Sequence, residues 1–146
     1  MIAWLLTAVV FAAEPVRVGI FVGNNQGVGQ ETRLVFATED ATKIHDAFVT
    51  WGGIAPSDAF LLQDSGKRAL IRAFDKASAR LTEARAANVP TELVFFYSGH
   101  GDEEGLHLGT TSLPHDELRG LLEQSGADVR IALLDACRSG GAIRAK

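Results

Sequence analysis

The run Leu93-Val-Phe-Phe-Tyr constrains this chain more than any other stretch, because consecutive large apolar residues leave neither face of a strand for water. A strand of that kind belongs inside a sheet covered by helices. Three further segments read as short apolar strands: Val16-Arg-Val-Gly-Ile-Phe-Val-Gly, Ala59 to Leu62, and Val129 to Leu134. The stretches between them have helical spacing. Ile44, Ala47, Phe48 and Trp51 share one face before Gly52-Gly53 stops the helix, and this assigns Trp51 to the core. Leu70, Phe74, Ala77 and Leu81 mark a longer helix with charged Arg and Lys opposite, and Leu118, Leu121 and Leu122 mark a third, ended near Gly126. Strands alternating with helices predict an α/β fold, a three-layer αβα sandwich around a mostly parallel sheet. A length of 146 residues suits one domain.

Ile2 to Ala13 stands apart from that pattern. It is apolar except for Thr7, too short to span a bilayer, and ends in Phe-Ala-Ala-Glu-Pro. It reads as the apolar part of an export signal cleaved after Ala12 or Ala13, although no Lys or Arg precedes it. Residues 1–13 are thus expected to be a leader, residues 14–146 the functional domain, and the product periplasmic or secreted, with no stable membrane span. The net charge of −4 and the absence of a basic stripe with interleaved aromatics count against nucleic acid as a partner. The lone cysteine, Cys137, excludes an internal disulfide and a multi-thiolate zinc site.

In a parallel sheet of this type, ligands bind outside the carboxyl ends of the strands. The third strand runs into Ser98-Gly-His-Gly and the fourth into Asp135-Ala-Cys-Arg-Ser-Gly-Gly. If those strands are neighbours, about 5 Å apart, His100 and Cys137 share a cleft although they lie far apart in sequence. A thiol is a poor nucleophile until it loses its proton, and an imidazole that titrates near neutrality can take it and later protonate a leaving amine. Gly99 and Gly101 leave backbone N–H groups uncovered, as an oxyanion requires.

Phe96-Tyr-Ser-Gly-His-Gly after one strand and Leu134-Asp-Ala-Cys-Arg-Ser-Gly-Gly after the next resemble the paired catalytic motifs of caspases and metacaspases. Val18-Gly-Ile-Phe-Val-Gly-Asn and Leu34-Val-Phe-Ala-Thr-Glu-Asp-Ala fit the same family, and the likeness to bacterial caspase-like proteins covers almost the whole mature chain. The resemblance implies a cysteine endopeptidase acting on protein or peptide substrates. It makes His100 the base and Cys137 the nucleophile, with Gly101 and Cys137 backbone donors at the oxyanion. Asp135 matches an acidic position of the metacaspase specificity pocket and Asp40 its other acidic wall, which implies cleavage after Arg or Lys. Asp40 also reads as a carboxylate placed at a helix N-terminus by the dipole.

There are departures from the family pattern. Arg138 follows the nucleophile, as in true caspases, where metacaspases usually have His. Calcium dependence has no support, because Asp102, Glu103 and Glu104 are equally explained as a turn before a Leu106-His-Leu strand. The family domain also continues past Lys146, so a missing carboxyl-terminal segment or small subunit is expected to complete the sheet, leaving four of about six strands here. His45 is expected at the surface, and His107 and His115 flank a turn without metal-ligand spacing. Two other classes compete: a catalytically silent caspase-like binding or scaffold module, and a nucleotide binder using the loop Gly23 to Gly29. The latter lacks the Lys-Ser/Thr of a phosphate loop.

Overall fold

The structure, a computed structural model, describes residues 13–137. Residues 1–12, all but the last residue of the expected leader, and residues 138–146 lie outside the described residues. The elements run in the order β1 (Val16–Gly23), α1 (Ala37–Thr50), β2 (Ala59–Gln63), α2 (Lys67–Ala86), β3 (Thr91–His100), β4 (Gly105–Leu108), β5 (Thr111–Pro114), α3 (His115–Gln124) and β6 (Val129–Cys137). Four strands form a parallel sheet of order β2-β1-β3-β6, so the most apolar strand, β3, sits inside it.

Side chains alternate across the sheet, and each face acquires its own helices. On one face Val18, Ile20 and Val22 of β1 and Leu93, Phe95 and Tyr97 of β3 pack with Leu70, Phe74, Ala77 and Leu81 of α2 and with Leu118 of α3. Phe74 stacks on Phe95 at a centroid distance of 5.7 Å. On the other face Phe21, Val94 and Phe96 meet Ala41 of α1 and Ile54, with Ile44 and Phe48 at the margin. The result is the αβα sandwich expected.

Two local expectations fail. Trp51 is 84% exposed, not core. Helix α1 ends at Thr50, and Gly53 (φ +71°) turns the chain away, so extending the helical face one residue further misplaces the indole. His45 is half-buried instead of surface, with its ring edge-on to Phe21 at 5.5 Å.

Residues 105–114 form an antiparallel hairpin apart from the main sheet, turning at Gly109 (φ +65°). Its strand β4 is the one the sequence marks at Leu106-His-Leu. Its buried Leu106, Leu108 and Leu113 extend the α2 side of the core. At the sheet's far edge β6 pairs, among the described residues, with β3 alone. Its Ile131 and Leu133 are each 41% exposed. Among the described residues no helix is long and apolar enough to cross a membrane.

Candidate active site

All four strands of the sheet are parallel, so β1, β3 and β6 end on the same side. Their register aligns Gly23 with Ser98 and Ser98 with Asp135, and two residues further on His100 with Cys137. Neighbouring strands are about 4.8 Å apart. The backbones of His100 and Cys137 therefore face each other across one strand spacing, at the end where such sheets bind ligands.

The His100 ring is held from the other side. Its Nε2 lies 2.8 Å from the Thr32 carbonyl, in the loop between β1 and α1. A carbonyl only accepts, so Nε2 carries the hydrogen and Nδ1 is the free basic nitrogen of the neutral ring. The backbone of His100 is held as well, because the buried Tyr97 hydroxyl reaches the carbonyls of His100 and His107, 2.6 Å from each. Burial pushes the Tyr97 phenol well above its ordinary value of 10, which keeps it a donor. A side chain at Gly99 would collide with that hydroxyl, so glycine is required between Tyr97 and His100. At Gly101 a Cβ would stand 3.2 Å from the Gly105 carbonyl and 3.3 Å from the Ala136 side chain.

Asp135 is exposed, and its alignment with Ser98 puts it on the α1 side of the sheet. Asp40 lies in the first turn of α1, a helix that approaches the end of β1 so closely that a Cβ on Gly23 would strike the Ala37 carbonyl. Both carboxylates thus belong to the carboxyl end of the sheet on one face. Asp40 is half-exposed, with Lys43 Nζ 4.0 Å away. A helix-dipole role and a pocket role are both compatible with that placement.

Residues 16–146 match the family model of the caspase domain, peptidase family C14. This chain belongs to the caspase-domain family of cysteine peptidases. No curated protein matches the sequence significantly.

Within this caspase domain, a set of residues that no sequence pattern brought together lies beside His100. Glu31, in the loop that carries Thr32, accepts from the Val28 amide at 2.7 Å and contacts His107 Nδ1 at 2.8 Å. His107, in β4 and 8% exposed, turns its Nε2 to Asp102 at 3.1 Å. Glu31 Oε1 is 4.0 Å from His100 Nδ1. These residues border a cleft of about 310 Å³, with Glu104 and Ser112 also in its lining. Desolvation pushes Glu31 up, but the Val28 amide and His107 together hold it below the usual carboxylate range. The Glu104 and Gly105 amides, ahead of His107, do the same for Asp102. Desolvation opposes charge on His107, yet its hydrogen bonds to Glu31 and Asp102 raise its pKa above 6.5.

In the acidic turn, Asp102 is held by local bonding, its Oδ1 accepting from the amides of Glu104 and Gly105. Three amides of the Gly23–Gly29 loop are occupied by the chain's own side chains. Asn25 donates to Asp64, Gln26 to Asn24 and Val28 to Glu31, which leaves these three unavailable to a phosphate. The likeness of this glycine-rich loop to a phosphate cradle is loose, and at these three positions the chain's own oxygens take the place a phosphate would need. Arg138 lies outside the described residues.

Proposed function

We propose that the chain is a cysteine endopeptidase in which Cys137 attacks the scissile carbonyl and His100 acts as general base. Support comes above all from the strand register, which aligns His100 with Cys137 at the carboxyl ends of adjacent strands. The Thr32 carbonyl adds to it by leaving Nδ1 as the ring's basic nitrogen. In the reaction the imidazole takes the thiol proton and the thiolate adds to the carbonyl carbon. Backbone N–H groups at Gly101 and Cys137 stabilise the oxyanion. The tetrahedral adduct collapses as the imidazolium protonates the departing amine, and water then releases the acyl group from sulfur.

The substrate class follows from charge. Asp40 and Asp135 on one face of the sheet end favour Arg or Lys immediately before the cut bond. We take the protein to act after export, on protein or peptide substrates, with further strands from a following segment or subunit covering β6. The exposed Ile131 and Leu133 support that last point.

The lone thiol makes the central assignment testable without a natural substrate. An electrophile carrying a basic residue beside its warhead should label Cys137 rapidly, and His100→Ala should abolish the rapid phase. Equal rates in the two proteins would remove His100 from the role of base.

A further inference from the structure

Glu31, His107 and Asp102 come from three segments: the β1–α1 loop, strand β4, and the turn between β3 and β4. His107 Nδ1 meets Glu31 at 2.8 and 3.0 Å and its Nε2 meets Asp102 at 3.1 Å. Carboxylate oxygens only accept, so both contacts hold only when both ring nitrogens carry hydrogen. A neutral imidazole would turn one lone pair toward a carboxylate. The ring is therefore an imidazolium clamped between two anions.

The clamp acts on His100 through the chain. Glu31 binds the Val28 amide, which closes the loop on itself, and the next residue, Thr32, supplies the carbonyl that holds His100 Nε2. Gly27 makes room for this closure: a Cβ there would collide with Glu31 and come within 3.1 Å of the His100 ring. From the opposite side, Tyr97 ties the backbones of His100 and His107 together.

We propose that His107 is a positioning residue for the catalytic base, its imidazolium locking the Glu31 loop so that Thr32 holds His100 in one tautomer and orientation. The proposal rests on His100 being that base. It makes the His100-dependent reactivity of Cys137 decline once His107 loses its proton.

The groups facing the clamp bear on where that happens. Glu31 and Asp102 contact the ring directly, and Glu104 shares the cleft. His100 approaches Glu31 from the end of β3, His115 reaches the Asp102 carbonyl from α3, and the Tyr97 hydroxyl lies on the His107 carbonyl. Ser112 of β5 is opposite in the hairpin. Among the described residues no Lys or Arg pairs with Glu31 or Asp102, so His107 is the cation of the cluster.

With only four histidines in the chain, ring-nitrogen NMR can follow each one. Wild type, His107→Gln and the isosteric Glu31→Gln are compared in two ways: the tautomer of His100, and the labelling of Cys137 by iodoacetamide against a His100→Ala baseline. A loosened ring should lower the His100-dependent labelling by about tenfold near neutral pH, less than the roughly 100-fold of a 1 Å misplacement. His100 should be Nε2-protonated in wild type and a mixture of tautomers in both variants. Retention of the single tautomer in both folded variants overturns the proposal. A shifted tautomer with labelling that is insensitive to His100→Ala supports the positioning and removes the base assignment on which its catalytic meaning rests.

Discussion

The pairing of His100 with Cys137 was legible in the sequence because each closes an apolar strand, and neighbouring parallel strands in this register finish together. Asp135 shares that advantage, lying two residues before Cys137 on a strand whose register is now defined. Asp40 is less determined, since a first-turn carboxylate is favoured by the helix whatever else it does. The cluster of Glu31, His107 and Asp102 was not legible at all. Glu31 and His107 are 76 positions apart and meet because an irregular loop folds against a hairpin, a contact with no period to betray it. At this scale the decisive prediction concerns specificity. Peptides with Arg or Lys before the cut bond should exceed those with Asp by at least about 100-fold in kcat/KM, about 2.7 kcal/mol of transition-state discrimination. Asp135→Asn should reduce turnover of the basic peptide much more than that of a neutral one. A wild-type preference for Asp would assign the pocket the opposite charge preference.

At the scale of elements, the sandwich could be read from periodicity because α2 and β3 are long and their apolar patterns unbroken. Boundaries were less accessible. Trp51 continues the spacing of Ile44 and Phe48, but the helix ends at Thr50, and periodicity alone cannot say which turn is the last. The β5 half of the hairpin is four residues long with one buried side chain, Leu113, too little pattern to mark a strand. The junction of β3 and β4 rests instead on the buried Tyr97 hydroxyl. Tyr97→Phe removes the single O–H that two carbonyls share, one of them in a buried contact, and should destabilise the domain by about 1–3 kcal/mol in urea unfolding. Loss below about 0.5 kcal/mol would show that those carbonyls find other partners.

Strand β6 carries a different consequence. Its apolar side chains Ile131, Leu133 and Leu134 are 41%, 41% and 36% exposed along a sheet edge, the arrangement that promotes strand-to-strand association. The chain of 146 residues should therefore self-associate at micromolar concentration in sedimentation velocity. Leu133→Lys should shift it toward monomer, because a charge on an edge strand opposes pairing. A monomeric wild type would mean that β6 is covered in solution.

Over the whole molecule, the ionised groups with shifted pKa values set a pH window for stability. Glu31, Asp102 and Asp128 lie below their ordinary values; Asp128 does so through the hydroxyl and amide of Thr91. A depressed carboxylate stabilises the fold above its unfolded value, 4.5 for Glu31 and 3.8 for the two Asp residues, and loses that contribution as pH falls through the folded value. His107 behaves in the opposite sense. Its raised value gives stability that is complete below 6.5 and lost as pH rises through the folded value. The two trends enclose a maximum between the carboxylate range and the His107 titration. A plot of Tm against pH should therefore fall on both sides, with the alkaline fall beginning above 6.5. His107→Gln should flatten the alkaline arm and leave the contribution of Asp128 to the acid arm in place, because Asp128 binds Thr91 at the opposite end of β3. An alkaline arm unchanged by His107→Gln would show that another group governs it, and the clamp would then contribute nothing to the stability of the fold.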